Sequence, residues 1–154
     1  MTYRFKTRLE QALERGDYAA LLNLVPYAKL IGAECTRAGD ELLFRLPANK
    51  DNIGNPILPA LHGGVIAGFM ELSAALHLLV FTKAPGLPKI IDFSLDYLRA
   101  GLFRDTYATC QMCRQGRRVA NVAITAWQTT PTEPIATARA HFKIEELALL
   151  KSRS

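Results

Sequence analysis

The stretch NPILPALHGGVIAGFMELSAALHLLVF, Asn55 to Phe81, decides how the rest of the chain is read. It opens on turn-forming Asn and Pro residues, passes through His62-Gly63-Gly64, and becomes a long apolar run broken by Glu71, Ser73 and His77. Val65, Ile66, Phe69, Met70, Leu72, Leu76, Leu78, Leu79 and Val80 leave no polar face. The pattern therefore predicts a helix hidden nearly all round. A carboxylate in the middle of such a helix is costly unless it has partners or a task. Glu71 is the most informative residue in the sequence for that reason.

Outward from this segment, the chain punctuates cleanly. Leu9, Ala12, Leu13, then Tyr18, Leu21 and Leu22 recur at helical spacing across residues 5–24, with Gly16-Asp17 as a break and Pro26 as the stop. From Tyr27 to Pro47 two extended runs flank the turn Ala38-Gly39-Asp40, and 48–61 reads as loop. After the central helix, Lys83-Ala84-Pro85-Gly86-Leu87-Pro88 is a stop signal.

The remainder is β. Ile91, Phe93, Leu95 and Tyr97 alternate with Asp92, Ser94 and Asp96. A second strand covers 105–114, Gln115-Gly116-Arg117 turns, and a third places Ala120, Val122, Ile124 and Ala126 on one face. The last, Ile135–Ile144, puts Ala136, Ala138, Ala140 and Phe142 inward and Thr137, Arg139 and His141 outward. Alanines on one face invite close approach by a helix or by another subunit. Residues 145–154 read as a short helical turn and a basic tail.

This is an α+β plan: one long central helix lying on an antiparallel sheet of five to six strands, behind an N-terminal helical extension. The divisions are 1–26 for the extension, 27–146 for the sheet-and-helix domain and 147–154 for the tail. A single helix leaves apolar sheet surface over, so pairing with a second copy is expected.

Composition narrows the function. The chain has 154 residues, 49% hydrophobic and 21% charged, with net charge +5. That is one ordinary globular domain, and the basic stretches with interleaved aromatics of RNA binders are missing. No apolar segment follows the N-terminal charges, so no signal peptide is expected. Three cysteines cannot all pair and suit a reducing cytoplasm. Cys110-Gln-Met-Cys113 lies on a strand, where i and i+3 point to opposite faces, so no metal pair is expected. Residues 63–81 approach membrane-spanning length, but Glu71 and His77 favour a buried helix over a span.

His62-Gly63-Gly64, Glu71 nine positions after the His, IIDFSLDYLRAG, CRQGRRVANVAITAW and PIATARAHFKI, in that order from Asn55 to Ile144, resemble the hotdog-fold acyl-CoA thioesterases of the phenylacetate-degradation type. The resemblance implies a hotdog fold, a homodimer or homotetramer, and no cofactor beyond coenzyme A as part of the substrate. It implies that the His62-Gly63-Gly64 turn gives a backbone N–H to the thioester carbonyl, and that Glu71 is general base or nucleophile. Asn55 matches the polar residue that precedes the turn in that family. The chain departs from the pattern in having Ile90 and Ala75 where such proteins often carry hydroxyl residues.

The chemistry stands on the residues as well. Hydrolysis needs charge stabilisation at the carbonyl oxygen and an activated water. A Gly-Gly helix start presents N–H groups at the positive end of the dipole. At about 1.5 Å per residue, Glu71 lies roughly 10 Å along the axis from Gly64, beyond the contact of about 3 Å that catalysis requires. If both act on one thioester, they come from antiparallel helices of different subunits.

Arg99, Arg104, Arg114, Arg117 and Arg118 near strand ends are candidates for the phosphates of coenzyme A. Phe69, Leu72 and Leu76 are candidates for the acyl pocket, and Asp92 and Asp96 either are solvated or face it. His77 and His141 read as structural or surface residues. The competing functions are a module that binds acyl-CoA or an acyl carrier protein without turnover, and a hotdog dehydratase or hydratase. Neither nucleic acid nor a membrane is an expected partner.

Overall fold

The N-terminal helices form where the periodicity places them. α1 (Tyr3–Arg15) is followed by α2 (Tyr18–Asn23), and the Asp17 carboxylate caps the second by accepting from the Ala20 N–H at 3.0 Å. The computed structural model describes residues 3–82 and 86–144. The predicted tail and the Lys83–Pro85 part of the stop signal lie outside the described residues.

Pro26 does not stop a helix but starts one. α3 (Pro26–Ile31) takes up the residues expected to be extended, with Pro26 at its first position and Gly32 closing it at φ 81°. Proline suits that position because its N–H would be unsatisfied there anyway, and a left-handed closing residue favours glycine. The first strand is correspondingly short. β1 (Glu34–Ala38) and β2 (Glu41–Leu46) pair around Gly39, itself at φ 63°.

The segment expected to be loop carries a 3-10 turn at Lys50–Asn52 and a small ladder of β3 (Ile53–Asn55) and β4 (Ala60–Leu61). Then comes α4 (Gly63–Thr82). β5 (Lys89–Tyr97), β6 (Thr106–Gln115), β7 (Val119–Trp127) and β8 (Ala136–Lys143) complete a six-stranded sheet in the order β1-β2-β6-β7-β8-β5, antiparallel throughout.

The alternation in β7 and β8 does what it predicts. Ala120, Val122, Ile124, Ala126, Ala136, Ala138, Ala140 and Phe142 are all buried, and α4 packs on this side. Alanines bring the helix close, so Ile66, Phe69, Met70, Leu76 and Leu79 of α4 sink fully between the strands. The result is the hotdog fold.

In β5 the alternation holds only in the middle. A register shift between Ile90 and Asp92 breaks the pairing with β8, and of the four expected inward residues Phe93 and Leu95 are half-buried while Ile91 and Tyr97 are exposed. β5 is an edge strand paired on one side alone.

His77 is packed against Phe81, ring centroids 4.6 Å apart, with its Nδ1 buried and without a partner. Burial lowers its pKa from the ordinary 6.5. The unfolded chain therefore takes up this proton at higher pH than the folded one, and stability falls as pH drops below about 6.5. We expect the Tm of the wild type to fall between pH 7.5 and 5.5 by on the order of 2 °C more than that of His77→Leu, measured by calorimetry.

Candidate active site

The start of α4 is fixed by backbone and side-chain contacts from three directions. The buried Asn52 donates its side-chain N–H to the Ile31 carbonyl at 2.9 Å, and its own carbonyl accepts from the His62 N–H at 2.9 Å. The Gly64 N–H donates to His62 Nδ1 at 2.8 Å. That bond makes Nδ1 an acceptor and leaves the ring hydrogen of a neutral imidazole on Nε2. A Cβ on Gly64 would fall 2.9 Å from the same nitrogen, so only glycine lets the ring close over the helix start. Tyr97 of β5 donates its hydroxyl to the Gly63 carbonyl at 2.6 Å.

His62 is thus a positioning group, occupied in holding the turn. The Gly64 N–H is taken by it, whereas the Gly63 N–H has no hydrogen-bond partner among the described residues. This unpaired donor stands at the positive end of a 20-residue helix.

The expectation that α4 is hidden nearly all round is corrected within the single chain. Gly64, Gly68, Glu71 and Ala75 recur at helical spacing and stay exposed or half-buried, because the sheet covers only the opposite side. Glu71 is half-buried and lines a cavity of about 450 Å³ whose other walls are mostly apolar, among them Leu72, Leu76, Ile90 and Phe142. Its carboxylate makes no hydrogen bond or ion pair among the described residues. Ala75 lines the same cavity, so both departures from the family pattern, Ala75 and Ile90, stand beside Glu71.

The remaining candidates are distributed unevenly. Leu72 and Leu76 wall the cavity, but Phe69 is fully buried in the core and does not. It turns toward the sheet, one residue off the open stripe. Asn55 is occupied in its own turn, its side-chain oxygen accepting from the Ile57 and Leu58 N–H groups at 3.0 and 3.4 Å.

Arg114, Arg117 and Arg118 come together around the β6–β7 turn in a cavity of about 800 Å³ with Asn121 and His141. Arg99 does not join them. It pairs with Glu133 at 3.9 Å beyond the far end of β5, about 26 Å away by the strand's rise.

Asp92 approaches His141 Nδ1 at 2.7 Å on the outer face of the sheet, and Asp96 pairs across to Thr137 on that face. Neither faces the Glu71 cavity. Cys110 and Cys113 also separate as their spacing predicts. Burial pushes the Cys110 thiol up in pKa, whereas Cys113 is exposed.

Two positioning residues, Asn52 and Tyr97, escape the sequence reading, as does Tyr27, which lines the cavity. Asn52 and Tyr97 carry no local signal, since each acts on a partner far along the chain.

Comparison with known proteins bears on the family and the fold. The model of the thioesterase superfamily matches residues 58–135. The chain is similar to a crystal structure of a protein from Chromobacterium violaceum, at 42% identity over 92% of this chain and 98% of that one, with a TM-score of 0.77. It shares its fold with a Shewanella oneidensis protein related to the thioesterase superfamily, at 23% identity, 88% and 97% coverage and a TM-score of 0.74. It also shares it with a phenylacetic acid degradation-related protein from Ralstonia eutropha, at 20% identity, 82% and 98% coverage and a TM-score of 0.69. No curated protein matches the chain.

Proposed function

The chain belongs to the thioesterase superfamily, and we propose that it is an acyl-CoA thioesterase whose active site is shared between two copies. The observation that carries this reading is the unpartnered carboxylate of Glu71 facing an apolar cavity. A half-buried carboxylate with no hydrogen-bond donor or ion-pair partner among the described residues, on an otherwise apolar wall, is free to take a proton from a water at the carbonyl.

In this mechanism the thioester oxygen accepts a hydrogen bond from the Gly63 N–H, and the helix dipole stabilises the charge that develops there. Glu71 takes a proton from water as the water attacks the carbonyl carbon. The tetrahedral intermediate collapses, the carbon–sulfur bond breaks, and Glu71 returns the proton to the departing CoA thiolate. Acid and free CoA leave. Direct attack by Glu71, through a mixed anhydride, is the second form of the same chemistry.

The two groups lie too far apart on one helix to act on one carbonyl. Support for a second copy comes from the open stripe of α4 beside the unpaired edge of β5, where Ile91 and Leu98 are exposed. Both are surfaces that chains ordinarily cover. A homodimer, or a tetramer built from it, places the Gly63 N–H of one helix opposite Glu71 of the other. A cytoplasmic location and acyl-CoA as the small-molecule partner belong to the same reading.

The arginines at the β6–β7 turn are proposed to hold the CoA phosphates. The double substitution Arg114→Gln, Arg118→Gln is expected to raise KM about tenfold and leave kcat unchanged, the behaviour of a contact equal in ground and transition states. Steady-state kinetics on one acyl-CoA checks this.

The direct test of the function is release of free thiol from short, medium, long and aryl acyl-CoAs. Turnover of at least one supports the enzyme. Tight binding of a non-hydrolysable analogue with no turnover on any would leave the binding module in its place.

A further inference from the structure

α3 stands outside the sheet, yet it reaches the Glu71 cavity through Tyr27. The tyrosine ring lies on the backbone of α4 at Gly68. A Cβ placed on Gly68 would fall 2.5 Å from the Tyr27 hydroxyl oxygen and 2.7 Å from Cε1. Glycine weakens a helix interior, and here it makes room for the ring.

Gly68 and Glu71 are three residues apart on one helical face, so the ring sits one turn from the carboxylate. The ring is held by a short rigid element: Pro26 fixes the start of α3, Gly32 its end, and the Ile31 carbonyl is tied to Asn52. Tyr27 is 39% exposed, and its hydroxyl has no partner among the described residues.

We infer that Tyr27 is a specificity-determining residue of this site, its ring limiting the bulk that an acyl group can carry next to the carbonyl. The inference rests on the acyl-CoA reading above. Glu71 marks where the carbonyl must sit, so a wall one turn away meets the first carbons of the acyl group and not its far end. Leu72, Leu76, Ile90 and Phe142 line the rest of the cavity with hydrocarbon. Discrimination therefore falls on branching or aryl substitution near the carbonyl, with chain length affected less.

Affinities for two non-hydrolysable thioethers, S-butyl-CoA and S-benzyl-CoA, test this by calorimetry on the full chain. In Tyr27→Ala the ratio of the two is expected to move toward the benzyl ligand by tenfold or more. Tyr27→Phe, which keeps the ring, should leave the ratio where it is. Gly68→Ala forces the ring off the helix and should shift the ratio in the same direction. Added to Tyr27→Ala, it should do nothing further, because the contact it disturbs is gone.

An unmoved ratio in Tyr27→Ala, with binding intact, would overturn the inference and leave the thioesterase reading standing. A Tyr27→Phe shift as large as that of Tyr27→Ala would assign the effect to the hydroxyl and overturn it too. No binding of either thioether to the wild type would sink the acyl-CoA reading and the inference together.

Discussion

Glu71→Gln is expected to lower kcat by about 10² or more on the best acyl-CoA substrate, the loss of a general base. Glutamine keeps the shape of the side chain and removes its ability to accept a proton. Because Glu71 is half-buried with no partner among the described residues, the substitution breaks no ion pair and opens no void. Tm should therefore change little. KM should change little, because the lost interaction matters at the transition state. Thiol release measured beside a thermal melt separates these effects. Equal turnover in variant and wild type would remove Glu71 from the mechanism.

Gly63→Pro is expected to cost 10²–10³ in kcat while the helix still forms, the magnitude found when one oxyanion donor is lost. Proline is tolerated at the first position of a helix and deletes only the N–H there. The added Cβ would meet the Tyr97 hydroxyl at 3.1 Å, a contact that the flexible end of that side chain must relieve. Gly63→Ala adds the same atom and keeps the N–H, so it is the control. It should retain activity within about tenfold of the wild type, the hydrogen bond being intact. If alanine and proline lose activity alike, the contact with Tyr97 matters and the N–H does not.

Much of the frame was legible because it rests on local periodicity. The alanine faces of β7 and β8, the extent of α4 and the Asp17 cap follow from which residues repeat at which interval. α3 is hidden from the sequence because Pro26 serves equally as a stop and as a first helical residue, and Gly32 five residues after Tyr27 is the signal that distinguishes them. The pattern of α4 also records burial without saying by what. Apolar residues all round predict a helix hidden on every side, whereas one chain hides only the side toward its sheet.

The site divides in the same way. Glu71 and the glycine turn announce themselves, since a carboxylate in an apolar run and paired glycines before one are local anomalies. Contacts between residues far apart in sequence do not. Tyr97 reaches back 34 residues to the Gly63 carbonyl, and Tyr27 lies over a glycine 41 positions later. Residue type alone groups the arginines, and only strand direction sends Arg99 to one end of the sheet and Arg114, Arg117 and Arg118 to the opposite end.

In the proposed mechanism each active site takes its Gly63 N–H from one copy and its Glu71 from the other. Co-refolding equal amounts of Glu71→Gln and Gly63→Pro, each nearly inactive alone, tests it most directly. Half of the resulting dimers are mixed, and each mixed dimer has one site with both native groups and one with neither. A shared site predicts recovery of about a quarter of wild-type activity, as two-fold symmetry requires. A mixture no more active than its two parents would place both groups within one chain and contradict the account.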